Sequence, residues 1–574
     1  MLQIGSGRLF SRETRRINNL KGVLYTNLKM AGRDTIDTAI GRLVRTDLLR
    51  PSTSIIYEYD EHIEATLDGR DVLVSHGIDS FLNDMASVIS FGFDAICTTD
   101  SDLTYKLISG QRSPAVDRDP RSILRRTFDT TILAHERDIE DFAIFTKKLI
   151  NLERKNFLGA MRAIRTYVTG IHRISDDLEL AYTLIVASME SLAQEFDGHR
   201  ASWSDYEERK RNAIDQALCE ASEGTAQKVR EALLQIEHTS LARRFRDFTI
   251  SHTTKEFFRE EAANIKFPVG RGELQQALQE AYRLRSRYVH NLSELPKILK
   301  LFNSDTEVVK DQHIVMLNIA GLCRLARHVI RQFINKQPEI ASEVYDYRLE
   351  RSNIVQVVMS PEFWIGNKSG LNPKAGNSYL EGFLEQFSSA AIEKLPGKNI
   401  TDLTNVLIEV EKLLPAISAD QRRPYIALYL LFNYIAPKKY MSKNFDLIWN
   451  KYQTEVDGPS IESLILHLIT NSRVDWELSI HNKIHDDYMR RRFKKNGIRI
   501  SRSLETGLTL SLAERYRSSG EIEKTKYLVS LSVENNPGIS QLLAFENQLN
   551  LDEAIKWRDI LFPDNSHYFE DYSI

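Results

Sequence analysis

Helix-breaking residues are scarce in this chain of 574 residues. Its 26 glycines and 15 prolines make up about 7% of the sequence, where roughly 12% is usual, and that scarcity points to a mostly helical protein. Cysteine is scarce too. Cys97, Cys219 and Cys323 lie far apart, a spacing that builds neither a disulfide framework nor a zinc knuckle. A reducing, cytoplasmic compartment is therefore expected. There is no charge excess either. With 76 Lys and Arg against 79 Asp and Glu, the formal net charge is −3, so any basic surface must be local. No apolar run reaches the roughly 20 residues of a membrane span, and no membrane partner is expected. The most apolar stretch, Tyr425–Ala436, contains Asn433 and is bracketed by Pro424 and Pro437, the pattern of a buried helix. The opening residues lack the apolar core of a signal peptide.

What is present describes a globular chain: 42% hydrophobic and 27% charged residues. Three regions are expected. Residues 1–130 read as an α+β region with a sensor or regulatory role. Within them Ile55, Tyr57 and Tyr59 alternate with other residues, and Asp68-Gly69 sits between β-prone runs as in a hairpin. Residues 110–120 read as a loop. Residues 131–350 read as a helical domain, because no proline occurs between Arg121 and Phe267. Leu178, Ala181, Tyr182, Ile185, Met189, Leu192 and Phe196 recur at helical spacing there. Further helices are expected over 272–290, with Asn291 as cap, and over 308–336. The Gly-, Asn-, Ser- and Pro-rich stretch 361–378 marks a boundary. Residues 351–574 read as a helical domain. Leu512, Ala513, Tyr516, Gly520 and Pro537 resemble a tetratricopeptide repeat, with Thr525 in place of its small residue, and a weaker second copy runs from Phe545 to Leu561. Such helices suit a protein partner.

The sharpest constellation is Arg285-Ser286-Arg287-Tyr288-Val289-His290, near the end of the 272–290 helix. Leu274, Leu278 and Ala281 form an apolar stripe, and Arg285 is its next position. A guanidinium there needs a partner or a polar cleft. His290 lies about 140° further round a regular helix, so it does not share that face. The pair converges only where the helix ends or where a second subunit completes a cleft.

An arginine, four intervening residues and a histidine in an all-helical setting resemble the signature of the HEPN superfamily, of the Apea-like type. Ser286 stands where that signature often has a polar residue. Ala181-Tyr182-Thr183-Leu184-Ile185-Val186-Ala187-Ser188-Met189-Glu190 resembles the family's first core helix with its acidic residue at Glu190. The resemblance covers roughly residues 131–350. It implies a HEPN-like helical bundle, a homodimer or higher homo-oligomer joined near the motif, and cleavage of RNA without a metal or cofactor. Arg285 and His290 would be catalytic, Ser286, Arg287 and Tyr288 would contact substrate, and Glu190 would give support. Related bacterial proteins resemble toxins and anti-phage effectors.

The chemistry suits those residue types. Histidine titrates near neutrality and can move a proton to or from a ribose 2′-hydroxyl or a leaving oxygen. Arginine stays charged and can grip phosphate oxygens bidentately. The rival reading is a non-catalytic binding protein in which Arg285 pairs with Glu190 or Glu280 inside an assembly module.

Other features weigh less. Arg490, Arg491, Arg492, Lys494 and Lys495, with Phe493 among them, form the densest basic stretch, a candidate nucleic-acid contact or a dock for an acidic protein. His481 and His485 have a spacing that can hold a metal from one helix face, but no second ligand cluster accompanies them, and an exposed polar face is expected. Arg243, Arg244 and Arg246 are expected to be surface charges with local partners such as Asp247. No Walker motif, dinucleotide fingerprint or nucleophile elbow is present.

Overall fold

The computed structural model describes residues 1–46, 53–64, 77–109, 120–124, 126–198, 202–203, 208–236, 241–300, 306–344, 359–494 and 497–562. The chain is mainly α-helical, with a small sheet region at its N-terminus. It divides into two compact units, Met1–Val355 and Gln356–Ile574.

After a short helix, Leu2–Gly5, the first unit carries strands β1 (Thr14–Thr26), β2 (Leu28–Met30), β3 (Thr35–Thr38), β4 (Gly41–Arg45), β5 (Thr53–Glu64) and β6 (Cys97–Thr98). Five of them form one sheet in the order β3-β4-β5-β1-β6. The alternation at Ile55, Tyr57 and Tyr59 is that of β5, whose buried side carries all three. Its partner is β1, with Leu24 opposite Ile55. The Asp68-Gly69 turn, the loop over 110–119 and Lys495 lie outside the described residues. Strand β7 (Ile132–Ala134) pairs in parallel with β2.

Helices cover that sheet and continue into one core. They are α1 (Asp79–Phe93), α2 (Glu136–Ile150), α3 (Arg154–Arg173), α4 (Leu178–Phe196), α5 (Leu241–Ser251), α6 (Arg271–Asn291) and α7 (Ile319–Lys336). The helices Glu208–Ala217 and Glu223–Ile236 come between α4 and α5. A single hydrophobic cluster extends from Leu2 to Ile334, so residues on both sides of position 130 share one interior. Helix α4 lies at its centre. Asp177 caps it, accepting the Leu180 N–H at 2.8 Å, an arrangement worth about 1 kcal/mol. Ala181, Tyr182, Ile185, Met189 and Leu192 are all fully buried, each large side chain contributing about 1.5–3 kcal/mol.

The segment expected to be helical from 308 starts instead as a hairpin, β8 (Val308–Asp311) and β9 (Ile314–Leu317), and only then enters α7. Its β-branched residues explain the difference: Val308, Val309, Ile314 and Val315 favour paired strands. Asn318 then caps α7 by accepting the Gly321 N–H at 2.9 Å.

The second unit includes α8 (Gly376–Phe387), α9 (Ala419–Ile435), α10 (Leu478–Arg491), α11 (Arg502–Ser518) and α12 (Ile522–Asn535), with further helices between. Helix α9 starts before Pro424, which lies inside it rather than at its start. Ser418 and Gln421 form the capping box, and Pro424 costs the helix only the bond to the Asp420 carbonyl. Residues Tyr425–Phe432 are buried as expected. Helices α11 and α12 form the repeat-like hairpin, with Gly520 at φ +81° in its turn and Thr525 fully buried. The segment of the weaker second copy holds two short helices. They are Ser540–Asn547 and Trp557–Leu561, with the non-helical stretch Gln548–Lys556 between them.

Candidate functional site

The Arg/His motif occupies the last turns of α6. Gly270 and Glu273 start that helix, the Glu273 carboxylate accepting the Gly270 N–H at 3.1 Å. Leu274, Ala277, Leu278, Ala281 and Leu284 turn inward. The helix ends one residue beyond the expected cap. Asn291 is still helical, and Leu292 takes the left-handed conformation at φ +50°, donating its N–H to the Tyr288 carbonyl at 2.8 Å. Asn291 is therefore not the cap.

Arg285 continues the apolar stripe, and its guanidinium meets a buried acid. One Nη lies 2.7 Å from a carboxylate oxygen of Glu190 on α4, and the Glu190 side chain is only 3% exposed. Gln194 donates to the same carboxylate at 3.0 Å, and the Tyr282 hydroxyl donates to it as well. Burial pushes the Glu190 carboxyl above the ordinary range, while Arg285 and these donors pull it back. The guanidinium also stands over the Tyr282 ring, 5.8 Å from its centre, and the Arg285 Nε is buried without a hydrogen-bond partner. Glu280 pairs with Arg283, not with Arg285.

His290 is exposed in the last turn and makes no hydrogen bond or ion pair among the described residues. Arg287 is exposed as well. At i and i+3, Arg287 and His290 are neighbours on one helix face, where side chains stand about 5–6 Å apart at Cβ. The structure thus places Arg287, not Arg285, beside His290 within one chain. Ser286 is half-buried, and the Tyr288 hydroxyl donates to Asp177 at the start of α4.

The basic stretch at the end of α10 is partly spent on local carboxylates. Arg490 pairs with Asp487, and Arg492 pairs with Glu505 at 3.2 Å. Arg491 and Lys494 are exposed and make no ion pair among the described residues, and Phe493 is 79% exposed. Arg244 forms a two-pronged pair with Asp197 at 2.6 and 3.0 Å, and Arg246 pairs with Asp247 at 2.8 Å.

His481 and His485 are buried, not on an exposed polar face. Helix α11 covers them: the Thr509 hydroxyl meets His485 Nε2 at 2.9 Å and Arg515 meets His481 Nδ1 at 3.2 Å. Burial, reinforced by Arg515, pushes His481 down to about 3. Among the described residues no group of three or more His, Cys, Asp or Glu is placed to hold a metal ion. Nor is any helix among them long and apolar enough to cross a membrane.

No known family, curated protein or solved structure matches this chain.

Proposed function

We propose that the end of α6 is the working face of a metal-independent endoribonuclease, acting in the cytoplasm as a regulated toxin or anti-phage effector. The reading rests on one observation: a guanidinium fixed by a buried carboxylate shares a helix end with an exposed, unengaged histidine. His290 in its neutral form takes the proton of a ribose 2′-hydroxyl. The oxygen attacks the adjacent phosphorus, the 5′-oxygen leaves and is protonated, and a cyclic phosphate is left behind. Arg285 and Arg287 hold the phosphate oxygens as charge builds on them. Arg285 and His290 point about 140° apart, so a second copy of the chain brings the two into one groove as a homodimer or higher homo-oligomer. Ser286 and Tyr288 line the approach, the α10 basic end is a further RNA contact, and the C-terminal helices are open to a protein partner.

The test compares growth and total RNA integrity in cells expressing wild type, Arg285→Ala or His290→Ala, with and without phage challenge. Fragmented RNA or arrest that disappears in both variants supports the reading. Intact RNA in all three, under every challenge, refutes it. A second reading has a specific observation behind it. Arg285 is already paired with Glu190, as a purely structural arginine would be. In that reading the bundle is a non-catalytic assembly module, and only stability changes in the variants.

A further inference from the structure

A cavity of about 440 Å³ opens in the first unit, away from the α6 motif. It is lined from α1, α2 and α7, and its size falls in the range of small-molecule sites, about 300–1,000 Å³. Arg324, Arg327 and Arg331 line it at i, i+3 and i+7 of α7, and Arg126 adds a fourth guanidinium.

The four guanidiniums are held in different ways. Arg324 is spent on Glu307, with hydrogen bonds of 2.5 and 2.7 Å. Arg327 donates to the Phe91 and Gly92 carbonyls at 3.0 and 2.7 Å and stands 3.5 Å from Asp94. Arg331 has no carboxylate at ion-pair distance among the described residues. Its one donated bond goes to the Gly92 carbonyl at 2.8 Å, and its guanidinium rests against Phe91 and Phe145, 5.8 and 5.2 Å from the ring centres. Burial first, and Arg327 next, pull Arg331 down to about 10. A desolvated cation beside a second arginine is stabilised by an anion that reaches both. Four carboxylates line the same cavity and keep their charge: Glu261, 2.8 Å from His328, Asp138, which accepts the His135 N–H at 3.0 Å, Asp94 and Asp141, and all but Asp138 lie near enough to Arg331 to support its charge in part. Asp94 accepts from Thr127 at 2.9 Å, whereas Asp141 is exposed. Phe93 and Leu124 supply an apolar wall.

We infer that this cavity binds a free nucleoside phosphate. The phosphate bridges Arg327 and Arg331, with Arg126 completing its cradle. The base rests on the Phe93 and Leu124 wall, and Asp141 accepts from a ribose hydroxyl or an exocyclic amine. Inorganic phosphate alone would satisfy the arginines but leave most of the volume empty.

Calorimetric titration of the full chain tests this with the four ribonucleoside triphosphates singly, adenosine and inorganic phosphate. At least one triphosphate should bind more tightly than inorganic phosphate. Arg331→Gln and Arg327→Gln should each weaken it roughly tenfold or more, the loss of one charge-assisted hydrogen bond. His290→Ala and Arg285→Ala should bind it as wild type does, which separates this site from the α6 motif. Should Arg331→Gln fail to fold, Arg327→Gln and the exposed Arg126→Gln decide. No binding by any triphosphate, unchanged affinity in the arginine variants, or equal affinity for inorganic phosphate would overturn the inference.

Discussion

Removing Arg285 isolates a buried carboxylate, and the cost can be worked from the geometry. Breaking a buried ion pair by deleting one partner costs about 3–5 kcal/mol. Arg285 is 22% exposed, and Gln194 and Tyr282 still donate to Glu190, so Arg285→Ala should cost about 2 kcal/mol. For a unit spanning Met1–Val355 that is about 3 °C in its melting temperature. The sign with pH follows from Glu190, whose folded-state pKa burial already raises and the loss of Arg285 raises further. Between the ordinary glutamate value and that raised value the native state holds more protons than the unfolded one. Stability therefore falls as pH rises through the window. The gap between wild type and variant should widen as pH rises above the ordinary glutamate value and close on acidification. Differential scanning calorimetry of the full chain reads the first unit's transition. Pairing Arg285→Met with Glu190→Gln should recover most of the loss, because no buried charge is left alone. A variant within about 0.5 kcal/mol of wild type at pH 7.5, or a gap that widens on acidification, would refute the reasoning.

Three further outcomes are expected. His290→Ala should leave the melting temperature unchanged, since its side chain is exposed and unengaged, while RNA cleavage falls by about 10²–10⁴-fold in a gel assay. His481, depressed to about 3 by burial, must be charged on unfolding, so the second unit should lose stability as pH falls from about 6.5 towards 3. His481→Phe should flatten that dependence, and acid titration followed by circular dichroism would show it. Gly92→Ala should destabilise the first unit by about 1–3 kcal/mol, because a Cβ there would lie 2.5 Å from the Phe142 ring. Thermal unfolding measures it.

How much was legible in the sequence depended on whether a signal was local. Helices α4 and α6 were readable because their apolar residues recur at helical spacing. The buried alternation of β5 was readable for the same reason. The long strand β1 was not, because its run Arg15-Arg16-Ile17-Asn18-Asn19 is polar or exposed and becomes a strand only by pairing with β5. The 308 region misled because two four-residue strands precede the cap of α7 without a proline or glycine between. Glu190 was readable as support for Arg285, but the closeness of Arg287 to His290 needed the helix end fixed at Leu292. His481 and His485 looked like a polar face because the helix that buries them, α11, lies further along the chain.

The most direct measurement incubates the purified full chain with end-labelled RNA in excess chelator, comparing wild type, Arg285→Ala, His290→Ala and Glu190→Gln. Wild type should cut, leaving cyclic phosphate ends. His290→Ala and Arg285→Ala should not cut, and Glu190→Gln should cut more slowly while remaining folded. RNA left intact by wild type, or cut equally by wild type and His290→Ala, would contradict the ribonuclease account.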